Sequence, residues 1–320
     1  MFAAYAARID KDQPLDGLEL GDRPEPVVPD GWTTVDVKAA SLNHHDLWSL
    51  RGVGLGEELL PMTLGCDGAG IDADGNEVVL HSVIGATGHG VGPDEKRTLL
   101  TEKYQGTFAE RVAVPRWNVL PKPKELSFEE AACLPTAWLT AYRMLFTNAG
   151  VRPGDSVLVQ GAGGGVATAA IVLGAAAGLR VFATSRDEAK RKRAVELGAE
   201  AAVETGARLP QRVDAVLETV GAATWSHSLK SLKPGGTVVI SGATSGPNPP
   251  ATELNRIFFL ELKVVGSTMG SKEELASLMD FCAAKGVRPV IDSTLPLDRA
   301  REGFAKMAEG ELFGKVVLTV

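Results

Sequence analysis

At 320 residues, with 44% hydrophobic and 23% charged side chains, the chain is an ordinary soluble globular protein in composition, long enough for two domains with their own cores. A formal charge of -7 argues against nucleic acid as a partner, and the dense basic block, Lys190-Arg191-Lys192-Arg193, falls inside a predicted helix. Three irregularly spaced cysteines, Cys66, Cys133 and Cys282, suggest reduced thiols in a cytoplasmic setting rather than a disulfide framework, and no signal peptide is evident before Arg8 and Asp10.

Residues 1–123 read as a β-rich first domain with many turns. Val35-Asp36-Val37-Lys38 alternates, residues 77–81 are strand-like, and residues 106–115 carry a strand pattern that ends at Pro115. Pro121-Lys122-Pro123-Lys124 marks a boundary, because prolines at that spacing continue neither a helix nor a central strand. A helix then opens at Ser127 with Glu130 three residues on, the signature of a capping box. From there a βα alternation runs through a second domain, residues 124–269. The remainder, 270–320, holds a helix over 272–284 and strand-like pieces at Val290-Ile291 and 315–320. It is too short for a domain and is expected to return to the first one.

The second domain is organised around Val157-Leu158-Val159-Gln160-Gly161-Ala162-Gly163-Gly164-Gly165-Val166-Ala167, a buried strand running into a glycine turn and a helix. Gly161, Gly164 and Ala167 stand at the spacing G-x-x-G-x-x-A. Missing side chains there allow a tight turn, close approach of backbone N–H groups to a pyrophosphate, and close packing of helix on strand. The helix N-terminus then faces the anion. Strands over 179–184 and 215–218 make this the opening of a βαβ series, so the fold class is α/β with a doubly wound parallel sheet. The uncharged stretch 161–179 is broken by glycines and reads as a buried helix, with no membrane partner expected.

Cofactor choice is written at the end of the second strand. NAD-reading domains place an acid about 20 residues past the glycine loop to accept from the ribose hydroxyls. Here the strand ends Ala183-Thr184-Ser185-Arg186. Hydroxyl and guanidinium suit the 2′-phosphate of NADP, and Lys190, a cation in a helix's first turn, calls for a nearby anion. Ser185, Arg186 and Lys190 therefore form a candidate phosphate clamp. The competing readings are a solvated helix face with Asp187 as N-cap, or Asp187 as an NAD-reading acid.

The succession Ser41-Leu42-Asn43-His44-His45-Asp46, Gly65-Cys66-Asp67-Gly68-Ala69-Gly70, Gly106-Thr107-Phe108-Ala109-Glu110, Leu134-Pro135-Thr136-Ala137-Trp138-Leu139-Thr140-Ala141-Tyr142, the glycine loop and Leu232-Lys233-Pro234-Gly235-Gly236 resembles the medium-chain dehydrogenase/reductase superfamily over almost the whole chain. Within it the sequence looks most like the zinc-independent quinone oxidoreductase branch. The resemblance implies a GroES-like substrate domain, a Rossmann domain, for which the strand end above selects NADP(H), and a homodimer formed through the edge strand around residues 262–267.

It also implies site residues. The superfamily's catalytic zinc ligands align with Asn43, Cys66-Asp67 and Thr136, a set whose amide and hydroxyl make a poor zinc site. The structural zinc needs four cysteines where residues 89–105 have none. His44, His45, His81 and His89 are the histidines that a rebuilt site with Cys66 would draw on, but scattered histidines are the background expectation, and no metal is assigned. Asn43 is then the candidate donor to a developing oxyanion, His45 the candidate proton source, and Tyr142 and Thr140 border the nicotinamide. His44, Val220, Gly242, Ala243, Thr244 and Lys315 are carried over as cofactor contacts, Lys315 with solvent exposure as its alternative. Asp46 and Asp67 are expected to hold loops in place. Trp48, Leu50, Phe258, Phe259 and Met269 are pocket candidates that, judged singly, read as core. The expected activity is NADPH-dependent, zinc-independent hydride transfer to a small-molecule quinone or α,β-unsaturated carbonyl. The alternatives are a zinc-dependent alcohol dehydrogenase with an atypical metal site, or a non-catalytic NADPH-binding protein.

Overall fold

The structure is a computed structural model describing residues 1–85, 91–92 and 95–320. It divides into two compact units, Met1–Leu139 with Met269–Val320, and Thr140–Thr268.

The spine of the first unit is the strand Trp32–Ser41. Thr33, Val35 and Val37 point inward between less buried neighbours, the period of two expected for a strand with one covered face. It pairs antiparallel with Asp67–Asp72, Arg111–Pro115 and Lys315–Thr319. The last of these comes from the far end of the chain, and pairs in turn with Ile291–Pro296. Phe108, Phe304, Leu18, Leu42, Leu50 and Leu80 fill the core below this sheet.

Two boundaries differ from those read in the sequence. Residues 124–139 belong to the first unit, not the second. Their helix, Phe128–Ala132, is capped by Ser127 and Glu130 as its sequence predicts, and it packs on the strands Trp32–Ser41 and Asp67–Asp72. Ser41 Oγ lies 3.0 Å from Ala132 O, sharing its hydroxyl hydrogen between this carbonyl and Asp67, which ties the helix to the sheet. The proline pair thus ends the strand Val119–Pro121 without ending the unit. Second, of residues 106–115 only Arg111–Pro115 is strand. Gly106 lies against backbone, where a Cβ would stand 2.3 Å from Leu64 O, and Thr107 and Phe108 donate their N–H groups to Gly65 O and Leu64 O. The glycine therefore starts a close-packed bend instead of a ladder.

The second unit is a six-stranded, all-parallel sheet. Its spatial order is Ala201–Val203, Arg180–Thr184, Ser156–Val159, Val213–Glu218, Leu232–Ile240 and Lys263–Gly266, which is the Rossmann arrangement with the glycine loop at the reversal of strand order. Leu158, Phe182, Val216, Leu229 and Val238 form its core. The helix after the glycine loop, Gly165–Ala176, is 12 residues long. Among the described residues no helix is long and apolar enough to cross a membrane.

Phe258 and Phe259 are not core. They end the six-residue helix Leu254–Phe259, stack on each other with centroids 4.8 Å apart, and are 62% and 77% exposed. In so short a helix Ile257 and the following Leu260 turn to the core and leave the phenylalanines outside. Leu50 is core, and Trp48 is partly exposed beneath the Arg51 guanidinium, 5.2 Å from its ring.

Candidate active site

In the second unit the glycine loop has the geometry that an anion requires. Gly161 takes a left-handed φ of 74°, and a Cβ on it would lie 2.8 Å from Val220 Cγ2. Gly163 follows at φ 136°. Gly164 caps the helix Gly165–Ala176 in extended conformation with no side-chain cap, and a Cβ there would meet nothing within 4 Å. The first turn of this helix is thus left without a side-chain cap beside an open Gly164, an arrangement that fits a pyrophosphate.

A buried chain of hydrogen bonds holds the loop. Gly161 N donates to Thr184 Oγ1 at 3.2 Å, and Thr184 Oγ1 donates to Gln160 Oε1 at 2.7 Å. Gln160 Nε2 donates to Ser228 Oγ at 2.9 Å, and Ser228 Oγ donates to Glu218 Oε2 at 2.5 Å. Glu218, at the end of the strand Val213–Glu218, also accepts from Val220 N at 2.8 Å, Gly221 N at 3.0 Å and Thr224 Oγ1 at 2.9 Å. One carboxyl group therefore shapes the loop that carries Val220.

At the end of the second strand, Ser185 is buried and its Oγ accepts from Asp187 N at 3.2 Å. Arg191 Nη1 donates to Ser185 O at 2.8 Å and to Arg186 O at 3.1 Å, framing a turn whose next side chain, Arg186, is exposed. Among the described residues the Arg186 side chain has no hydrogen bond or ion pair. Asp187 is the N-cap of the helix Glu188–Glu196, accepting from Lys190 N at 3.0 Å, and this bond holds its carboxyl below the usual range. A cavity opens at the carboxyl ends of Leu232–Ile240 and Lys263–Gly266, lined by Ser241, Gly242, Ala243 and Ser267 among others. Thr244 instead ties back to Thr219 O through its N–H at 3.3 Å and its hydroxyl at 3.4 Å. Thr140 is buried, and the Tyr142 ring packs edge-on against Phe146 at 4.9 Å.

In the first unit the structure gathers Asn43, Asp67, Thr136 and Lys315. Asp67 is fully buried: Oδ2 accepts from Asn43 Nδ2 at 2.9 Å and Ser41 Oγ at 3.0 Å, and Oδ1 accepts from Thr136 Oγ1 at 2.5 Å and Ser82 Oγ at 3.3 Å. Lys315 Nζ donates to Leu42 O at 2.6 Å and Asn43 Oδ1 at 2.7 Å, with Asp67 Oδ2 at 3.4 Å. The expectation that Lys315 reaches cofactor or faces solvent is corrected here: its ammonium is sealed inside the first unit. Asn43 is corrected too. One amide hydrogen goes to Asp67 and the other to Ser41 O at 3.3 Å, so neither remains for a substrate oxygen.

His45 is half-buried with Nε2 3.0 Å from Thr101 Oγ1. Burial lowers its pKa against the opposing pull of Glu102 and Asp67, favouring the neutral ring. Its partner Thr101 holds a left-handed φ of 78°, unusual for a β-branched residue. His44 is exposed, and His81 is buried with Nε2 2.9 Å from Gly270 O. His89 lies outside the described residues.

These residues do not suit zinc. Cys66 Sγ turns to Leu100 O at 3.8 Å, and burial, reinforced by Asp46 and Asp67, pushes its thiol well above the ordinary pKa. Asn43 offers an amide, and an ammonium already stands among the oxygens. Among the described residues no group of three or more His, Cys, Asp or Glu side chains converges to hold a metal.

Asp46 does hold a loop, accepting from Asn43 N at 2.8 Å and Gly65 N at 3.1 Å. Burial outweighs these bonds and pushes its pKa up to about 7. The folded protein then keeps a proton that the unfolded chain has released, so this group's contribution to stability falls as pH rises from about 4 to about 7 and is level above. A shift of about three units corresponds to about 4 kcal/mol at most. Asp46→Asn is expected to flatten that slope, measured as urea midpoints across the same pH window; an unchanged slope would place its source elsewhere.

Sequence reasoning missed the Gln160–Thr184–Ser228–Glu218 chain, Arg191 and the lodging of Lys315.

Profiles of two families match the chain: the alcohol dehydrogenase GroES-like domain over residues 29–124 and the zinc-binding dehydrogenase domain over 165–284. The chain is 31% identical to a zinc-type alcohol dehydrogenase-like protein of Schizosaccharomyces pombe, covering 91% of each. It is 29% identical to quinone oxidoreductase of Mus musculus, covering 92% of this chain and 90% of that one. A crystal structure of an NAD-dependent alcohol dehydrogenase superposes with a TM-score of 0.90 at 36% identity, covering 100% of both chains. With both halves matched and the two folds in place, the chain is an oxidoreductase of the medium-chain dehydrogenase/reductase superfamily.

Proposed function

We propose that the protein is an NADPH-dependent, zinc-independent reductase of quinones or α,β-unsaturated carbonyls. The observation that carries this reading is the Lys315 ammonium between Leu42 O, Asn43 Oδ1 and Asp67, since Asn43 and Asp67 belong to the set aligned with the superfamily's zinc site. A site without a Lewis acid suits an acceptor already activated by conjugation. The bound cofactor supplies a hydride from its reduced nicotinamide. The chain's own residues bind and orient: the first turn after Gly164 takes the pyrophosphate, and Ser185, Arg186 and Lys190 take the 2′-phosphate. His45 Nε2 handles the proton, relayed with Thr101 Oγ1. The kinship with quinone oxidoreductase supports the acceptor class, and the exposed edge strand Lys263–Gly266 is the proposed pairing edge of a homodimer.

The test is turnover of chelator-treated protein with NADPH and NADH against quinones, enones and aldehydes. Chelator-insensitive reduction of quinones or enones with NADPH is expected. Activity confined to alcohols or aldehydes after zinc is restored, the reading favoured by the 36% identical alcohol dehydrogenase, would overturn it. Arg186→Asp should swing cofactor preference toward NADH by about 10- to 100-fold, since a charge-assisted hydrogen bond contributes about 1.5–3 kcal/mol. The ratio of kcat/KM for the two cofactors measures this, and an unchanged ratio would remove the clamp.

A further inference from the structure

The side chains of Lys315 and Asp67 are 3% and 0% exposed, so the ammonium has no access to bulk water. It has instead a shell of oxygens: two neutral carbonyls, Leu42 O at 2.6 Å and Asn43 Oδ1 at 2.7 Å, and one carboxylate oxygen, Asp67 Oδ2, at 3.4 Å. That is the environment of a bound cation, with the charge supplied by the chain itself. Backbone geometry delivers it there. Gly314 takes a φ of 117° with Val290 O so close that a Cβ would lie 2.3 Å from it, and Leu42 N donates to Val316 O at 2.9 Å, which sets the start of the strand Lys315–Thr319 beside Leu42 and Asn43.

We propose that Lys315 is the site's resident cation: its ammonium fixes the orientation of Asn43 against Asp67 and closes the site to divalent metal. With Oδ1 of Asn43 turned to the ammonium, its Nδ2 is committed to Asp67 Oδ2, so the amide has a single satisfied orientation. A divalent ion at the same oxygens meets a like charge at contact distance in a poorly solvated place. Lys315 is thus a positioning residue, and it determines which members of this superfamily's metal chemistry the site admits. The inference rests on the zinc-independent reading above, but metal binding is measured without turnover, so the two fail separately.

The experiment titrates the full-length protein with Co2+, whose absorption reports ligation, and measures cobalt and zinc content after gel filtration. The wild-type chain is expected to retain well below one equivalent of either. Two ligand-restoring variants are compared, Asn43→Cys/Cys66→His and the same pair with Lys315→Met. The variant lacking the ammonium is expected to bind Co2+ at least about a hundredfold more tightly. Equal affinity with and without Lys315, or a wild-type chain holding one equivalent, overturns the proposal. Should the Lys315→Met variant fail to fold, Lys315→Gln, which removes the charge but keeps a donor toward Leu42 O and Asn43 Oδ1, takes its place in the same comparison. A metal-free chain that turns over only alcohols would sink the proposed function and leave Lys315's role standing.

Discussion

Lys315→Met is expected to destabilise the protein by about 3–5 kcal/mol, with most of that loss recovered when Asp67→Asn is added. The substitution keeps the length and apolar stem of the side chain and removes only the charged head. What it leaves is a fully buried Asp67 carboxylate whose remaining partners are neutral: Ser41, Asn43, Ser82 and Thr136. An uncompensated buried charge, more than the lost attraction, carries the cost. Neutralising Asp67 removes that cost, so the two changes must be strongly non-additive, as contacts within one network are. Urea unfolding of the wild type, both single variants and the double variant measures the coupling. Additive losses would mean that the ammonium does not balance Asp67.

Glu218→Ala should cost about 1–3 kcal/mol, because it orphans the partly buried backbone donors Val220 N and Gly221 N. Val220 N and Gly221 N both turn in to Glu218 Oε1, and Gly221 is pinned at φ 92° with Gly246 O 2.6 Å from where a Cβ would be. The hydroxyls of Thr224 and Ser228 can rotate; the two backbone N–H groups cannot. Glu218→Gln keeps one acceptor oxygen for the loop and is expected to cost about 1 kcal/mol. The alanine variant should also weaken binding of the nicotinamide cofactor, since Val220 abuts Gly161 and the loop it sits on loses its support. Fluorescence titration with NADPH and urea midpoints of both variants check the pair; an alanine variant as stable as wild type would show that the carboxyl group does not hold the loop.

What the sequence determined by itself was local. The glycine spacing at 161–167, the capping box at Ser127 and Glu130, the alternation through Val35 and Val37 and the strand end at Ser185-Arg186 each arise from backbone sterics or from groups a few residues apart, so a short stretch of chain contains their whole cause. Errors at this level were of the same local kind. Gly106 looked like part of a strand because its close approach to the carbonyl of Leu64 leaves no trace in the residues beside it. Phe258 and Phe259 looked like core because a helix of six residues is too short for its own pattern to say which face is covered.

Only the tertiary structure decided the chemistry of the buried site. Lys315 meets Asn43 across 272 residues and Asp67 across 248, and nothing periodic relates them. A superfamily resemblance supplied Asn43 as a donor, yet whether an amide is free to donate depends on what its neighbours have already taken, and here Ser41 O and Asp67 take both hydrogens. The same holds for Cys66, whose thiol pKa is pushed up by burial and two nearby acids that no spacing rule places beside it. Hydrogen-bond capacity and desolvation belong to the assembled neighbourhood rather than to any residue in it, so the chain could state which groups it carries while only the fold settled which of them remained available to act.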